Sequence, residues 1–157
     1  MRASEIIVGV ISDTHGLVRP QALDALAGSQ LIIHAGDLGR PEVIGSLEAI
    51  APTFVVRGNV DNASWAARLP MTRRVDVGAL RLFVLHDIAQ LDFDPAVAGF
   101  AAVVFGHSHH PSIATRDGVL LLNPGSAGPR RFKLPVTVAR VRVSGRRLHP
   151  EIVELVV

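Results

Sequence analysis

Cysteine and tyrosine are absent from the 157 residues, and lysine occurs once, at Lys133. Without cysteine there are no disulfides, thiolate metal sites or cysteine nucleophiles. Aromatic residues make up 4% of the chain and no Lys/Arg run exceeds a pair. Both facts speak against a long single-stranded nucleic-acid track, which needs a basic groove with stacking platforms. No apolar stretch approaches the ~18 residues of a membrane span. The run Ile6–Ile11 follows Glu5 and stops at Asp13, so neither a leader nor a membrane anchor is expected, and the expected location is the cytoplasm. The isoelectric point of about 10.3 accompanies a net charge of only +2. With no tyrosine or cysteine and one lysine, almost nothing titrates between the histidines and the arginines. The high value reflects that gap and marks no basic patch.

What is present is a folded chain, 48% apolar and 19% charged, whose length predicts a single domain over 1–157. The first half alternates strand and helix. Ile6–Ile11, Leu31–Ala35 and Phe54–Arg57 read as strands, with helices at Pro20–Ala27 and Pro41–Ile50, the pattern of a parallel sheet. The second half reads as hairpins: Arg73–Val77 with Leu80–His86, Ile113–Thr115 with Val119–Asn123 across Asp117-Gly118, and Val136–Val143 with Arg147–Val157. A further buried run spans Ala101–Phe105. The expected fold class is α/β, with two mixed β-sheets packed as a sandwich and flanked by helices. The hairpins offer edge strands through which copies of the chain can associate.

The apolar runs end in a recurring way. They lead in turn into Asp13-Thr14-His15, His34-Ala35-Gly36-Asp37, Gly58-Asn59-Val60-Asp61, His86-Asp87, Gly106-His107-Ser108-His109 and Asn123-Pro124-Gly125-Ser126. Open α/β sheets bind ligands at the carboxyl ends of their strands. Turns favour Asp, Asn and Gly but not four histidines at strand ends, so turn propensity alone explains the set poorly. Asp13, His15, Asp37, Asn59, His86, His107 and His109 mix nitrogen and oxygen donors. An all-oxygen set suits Mg²⁺ or Ca²⁺, and a three-His set suits one Zn²⁺. This larger mixed set suits two borderline divalent ions, for which Mn²⁺, Fe²⁺, Ni²⁺ and Zn²⁺ qualify. A shared carboxylate can hold such a pair ~3.5–4 Å apart, a spacing used in phosphoester hydrolysis.

In this order the blocks resemble those of the calcineurin-like metallophosphoesterases, over nearly the whole chain from Ile7 to about Arg131. The Asn123–Ser126 loop is similar to one in the small bacterial and archaeal phosphodiesterase branch. The resemblance implies the metallophosphoesterase-like, four-layer α/β/β/α fold. It also implies a metal-dependent phosphoesterase, foremost a phosphodiesterase acting on a small-molecule or nucleotide phosphoester. Its implied ligand sets are Asp13, His15 and His109 for one metal and Asn59, His86 and His107 for the other, with Asp37 bridging both. Asn59, His86 and Asp37 would be the catalytic residues, around a hydroxide that bridges the metals and attacks phosphorus. Mn²⁺ is the first expectation for the pair of divalent ions, ahead of Ni²⁺, Zn²⁺ and Fe²⁺. The family also contains a retromer subunit, which makes a non-catalytic protein-binding scaffold the alternative; a phosphomonoesterase or nuclease are others. Every ligand position is filled, which favours the enzyme.

Remaining polar residues are placed around this set. Asn59, Arg130 and Arg131 are the expected substrate contacts, because a guanidinium matches a phosphoryl group bidentately, the alternative for the two arginines being a solvated basic pair. His34 and Asp61 are expected behind the ligands, supporting them. Val60 stands where many relatives carry His, and valine donates no proton. Asp87 stands where the family usually has Gly. Trp65 is expected as a core or interface anchor and His149 at the surface.

Overall fold

The structure is a computed structural model that describes residues 5–157. The first half forms β1 (Glu5–Ile11), α1 (Pro20–Leu26), β2 (Leu31–His34), α2 (Glu42–Glu48) and β3 (Thr53–Val55). The three strands are parallel. Pro20 opens α1, where its missing N–H costs no helix bond. Pro41 precedes α2, which begins one residue later than its sequence pattern suggests.

The second half forms β4 (Thr72–Val77), β5 (Leu80–Leu85), β6 (Ala102–Val104), β7 (Ser112–Arg116), β8 (Val119–Asn123), β9 (Thr137–Ser144) and β10 (Arg147–Glu154). All three hairpins are present. The last one joins the first half: β9 pairs antiparallel with β1, giving a five-stranded sheet of order β10-β9-β1-β2-β3. The other sheet has order β4-β5-β6-β8-β7, in which β5, β6 and β8 run parallel.

The two sheets face each other across one core. Val8, Val10, Ile33, Ala139 and Val141 of the first meet Val75, Leu82, Val84, Val104 and Leu122 of the second. Each Val, Leu or Ile side chain taken out of water here contributes roughly 1.5–3 kcal/mol. The opposite face of the first sheet packs Ile11, Ile32, Val55 and Val138 against Ala22 and Leu26 of α1 and Val43 and Leu47 of α2. Gly9 lets α1 come this close, because a Cβ there would sit 2.8 Å from Leu26 Cδ2. Trp65 packs at the edge of this second cluster, as its sequence position suggests.

The outer face of the second sheet is covered by the segment after β5. A 3₁₀ turn, Ile88–Gln90, and the stretch following it lay Ile88, Leu91 and Ala96 over Leu85, Val103 and Val119. The architecture is therefore the expected pair of mixed sheets with helices outside, the helical cover over the second sheet being a single turn. The strands that run parallel in each sheet end on a common rim, and that rim carries the polar blocks.

Candidate metal centre

Strand ends aim the polar blocks, and strained backbone finishes the aiming. Seven non-glycine residues among those described have positive φ, and five of them are Asp13, His15, Asp37, His107 and His109. Left-handed backbone is unfavourable for L-residues and persists only where its surroundings over-determine it. Here those surroundings are hydrogen bonds between loops. Asp13 N–H donates to Gly36 O and His15 N–H to Asp37 O, both at 3.0 Å, so the loops after β1 and β2 are zipped together.

Asp13 is wholly buried and its two carboxylate oxygens are used differently. Oδ2 accepts from Ser12 Oγ (2.7 Å) and from the His107 N–H (3.2 Å). Oδ1 has no hydrogen-bond partner and lies 3.3 Å from His109 Nε2 and 3.8 Å from His86 Nε2. Asp37 Oδ1 accepts from the Val60 N–H (3.0 Å), while Oδ2 lies 3.2 Å from His86 Nε2 and 3.9 Å from His15 Nε2. Gly58 makes room for this carboxylate, since a Cβ there would overlap Asp37 Oδ1. The His86 Nδ1–H donates to Ala35 O at 2.7 Å, so Nε2 turns toward the carboxylates. His107 Nδ1 and Asn59 Oδ1 are 3.2 Å apart, one side of the same cluster.

Two triplets have donor atoms within 4.8 Å of one another: Asp13, His15 and His109, and Asp13, Asp37 and His86. Asp13 Oδ1, His15 Nε2, His86 Nε2 and His109 Nδ1 are buried polar atoms without a hydrogen-bond partner. Such atoms are costly to leave unsatisfied. Four of them in one cluster, all nitrogen or carboxylate oxygen, fit divalent cations. Five of the seven ligand candidates fall in these two triplets, which share Asp13, and Asn59 and His107 lie beside His86 in the adjoining cleft.

The protonation pattern of the cluster follows from burial and proximity. Burial lifts the Asp13 carboxyl above its ordinary range, with Ser12, His86 and His109 opposing. Burial acts the same way on Asp37, but the His86 ring, the Val60 amide and the charge of His15 outweigh it, and its pKa is lowered. His86 is raised, because Asp37, Asp13 and Ala35 O more than offset its burial. His109 is lowered by burial, aided by the positive charges of Arg131 and His15.

His34 and Asp61, expected behind the ligands, bond to a hydroxyl and to backbone amides. His34 is fully buried. Its Nδ1 accepts from the Gly36 N–H (3.0 Å), which leaves the proton on Nε2 to donate to Thr14 Oγ1 (3.0 Å), which in turn donates to Leu38 O (2.9 Å). The Asp61 carboxylate accepts from Leu38 N–H (3.1 Å), Gly39 N–H (3.1 Å) and Gly58 N–H (3.0 Å). It tethers the Asp37 loop to the Asn59 loop through these backbone N–H groups. Ser12, Thr14 and Asn123 were not singled out individually by the sequence. Asn123 Nδ2 donates to Gly106 O and Ser108 Oγ, both at 3.1 Å, and so holds the turn that carries His107 and His109. The available signal was a polar side chain closing a buried strand.

Other residues settle around this centre. Asp87 Oδ1 caps the 3₁₀ turn at Ala89 N–H (3.0 Å), and Oδ2 lies 3.9 Å from His107 Nε2. Asp87 also lines a cleft of about 60 Å³ with Arg57, Asn59, Met71, His86, Gln90 and His107. Within it Arg57 Nε–H points at Met71 Sδ, 3.1 Å away. Arg130 and Arg131 are exposed on the loop beyond Ser126. His149 is exposed on β10, away from the rim. Among the described residues, no helix is long and apolar enough to cross a membrane.

Known proteins resemble this chain in sequence and in fold. The calcineurin-like phosphoesterase superfamily domain matches residues 6–146. A protein described as a probable metallophosphoesterase in Methanothermobacter thermautotrophicus is 34% identical over 160 residues, covering 94% of this chain and 92% of that one. Two solved structures share the fold. The vacuolar protein sorting 29 protein of Cryptosporidium parvum has a TM-score of 0.77 at 17% identity, over 96% of this chain and 98% of its own. An archaeal phosphodiesterase has a TM-score of 0.73 at 20% identity, over 94% and 100%.

Proposed function

From the premise that the chain belongs to the calcineurin-like phosphoesterase superfamily, we propose that it is a phosphodiesterase acting on small-molecule or nucleotide phosphoesters with two divalent cations. The observation that carries the reading is the set of orphaned buried donors, Asp13 Oδ1, His15 Nε2, His86 Nε2 and His109 Nδ1, gathered at the common rim. Asp13, His15 and His109 would hold one cation, and Asn59, His86 and His107 the other. Asp37 would serve both, a role supported by Oδ2 lying 3.2 Å from His86 Nε2 and 3.9 Å from His15 Nε2. When bound, the cations would supply Lewis acidity, lowering the pKa of a water and neutralising charge on phosphoryl oxygens; Mn²⁺ is the first candidate. Asn59 offers its amide nitrogen to a phosphoryl oxygen beside its carbonyl donor, and Arg130 and Arg131 offer bidentate hydrogen bonds to the anion. Asp61 and the Val60 amide hold the Asp37 and Asn59 loops in register. The core shared by both sheets supports reading 1–157 as one domain.

The test is activity of metal-stripped protein resupplied with Mn²⁺, Ni²⁺ or Zn²⁺, on aryl monoesters and diesters. The expected result is metal-dependent hydrolysis with diesters preferred, lost by about 10³-fold or more in Asp37→Ala, since transition-state contacts of this kind carry several kcal/mol. Stoichiometric metal binding without hydrolysis under any ion would favour a binding scaffold of the same fold.

A further inference from the structure

Phe132 breaks three rules at once. It is 93% exposed, whereas the other five phenylalanines are partly buried. Its φ is +51°, and among the described non-glycine residues with positive φ it alone has an apolar side chain, the rest being Asp or His. It also sits in a run of cations, Arg130-Arg131-Phe132-Lys133, all exposed. A bulky residue in the left-handed region is an outlier, held there only by its surroundings, and such strain clusters at functional sites.

The loop is built onto the candidate centre. At its root, Ser126 Oγ donates to Asp13 O (3.0 Å) and Arg19 Nη2 to Gly128 O (3.3 Å). Gly128 lies so close that a Cβ there would overlap the carbonyls of Asp13 and Thr14. At its tip, Leu134 N–H donates to Arg131 O (3.0 Å), closing a turn that presents Phe132 and Lys133 at its corners.

We propose that the loop 128–134 is a substrate subsite in which Phe132 stacks a planar heterocyclic base while Arg130 and Arg131 hold anionic oxygens, so that the substrate is a nucleoside phosphodiester. This rests on the phosphodiesterase reading above. Base–aromatic stacking tolerates any base, because every base has a π-face, and flanking arginines add cation–π and phosphate contacts. A lipid surface is the poorer occupant: one ring supplies little of the apolar area that interfacial insertion needs. A single exposed ring also suits one nucleotide better than a long strand.

Two measurements test the subsite. First, 2-aminopurine riboside 5′-phosphate, whose fluorescence is quenched on stacking, is titrated into the metal-free full chain. Second, kcat/KM is measured in the metal-loaded protein for thymidine 5′-(p-nitrophenyl phosphate) and for methyl p-nitrophenyl phosphate. In Phe132→Ala the quenching midpoint should rise about 10-fold, and the thymidine-over-methyl selectivity should fall about 10-fold, carried by KM; Phe132→Trp should restore both. Unchanged quenching or unchanged selectivity in Phe132→Ala overturns the subsite. So does Phe132-dependent sedimentation with phosphatidylserine vesicles without any response to the nucleotide. If no phosphoester is hydrolysed, the phosphodiesterase reading fails, and the fluorescence titration still decides whether the loop binds a base.

Discussion

At the scale of single residues, His34 shows how burial and hydrogen bonding lock one protonation state. Desolvation of the fully buried ring, reinforced by the charge of His86, lowers its pKa from 6.5 to about 3. Its hydrogen bonds agree: a proton on Nδ1 would face the Gly36 N–H, donor against donor. The folded state therefore keeps His34 neutral down to about pH 3, while the unfolded chain protonates it below 6.5. The resulting stabilisation is fully present above pH 6.5 and is lost progressively as pH falls toward 3. Between pH 7 and pH 5 it should cost the metal-free protein about 2 kcal/mol, readable by urea unfolding at the two pH values, and that slope should be shallower in His34→Leu. Val60 makes a second residue-scale prediction. Its backbone amide serves Asp37, and its side chain, 43% exposed, has no proton to give a leaving group. Aryl phosphodiesters should be hydrolysed at least about 100-fold faster than simple alkyl ones, the size of a missing general acid. Comparable chemistry-limited rates would place a proton donor elsewhere, with His110 the first residue to substitute.

At the scale of elements, the site is a set of loops fastened to one another. Asp61 is the main fastener, since its carboxylate receives N–H groups from the loops after β2 and β3. Asp61→Ala would leave three mostly buried donors unpaired, so we expect a loss of about 3 kcal/mol or more, with Asp61→Asn losing less because one acceptor remains. Chemical denaturation midpoints of the three proteins check the order. Most elements were legible in the sequence because β-branched runs, proline-led helices and turn dipeptides such as Asp117-Gly118 act locally. The weak alternation of Val136–Val143 was less legible. In the structure Ala139, Val141 and Val143 face the core between the sheets, while Val138 and the stem of Arg140 meet the helix side. The segment after β5 is placed by its apolar side chains. It lies mostly on the outer face of the second sheet, and only Asp87 and Gln90 reach the cleft, because Ile88, Leu91 and Ala96 gain more by covering Val103 and Val119.

At the scale of the whole molecule, metal and fold are linked. The chain carries +2, and buried donors without a hydrogen-bond partner gather at the rim, so a cation bound there would stabilise the folded state. A ligand that binds only the folded state at about 100 times its Kd adds about 2.7 kcal/mol, which for a domain of this size raises Tm by roughly 5–10 °C. Mn²⁺ should produce such a shift and a chelator should reverse it; Asp37→Ala should blunt it. A calorimetric scan with and without the ion measures this, and an unchanged Tm would count against cation binding in the folded state.

The sequence by itself determined the elements, the two-sheet α/β class and the residues gathered at the strand ends, because hydrophobic periodicity, turn chemistry and motif order are local properties of the chain. It also pointed to His34 and Asp61 as supporting residues. Only the tertiary structure decided how they support: which oxygen of Asp13 is tied and which is free, which histidine nitrogen faces inward, and that Asp61 holds backbone rather than a ligand. It likewise exposed Phe132, one phenylalanine among six in the sequence. Those outcomes depend on hydrogen bonds and burial between segments as many as 113 residues apart, such as Ser126 Oγ to Asp13 O. Contacts at that separation are set by how the sheets pack, which no local pattern encodes.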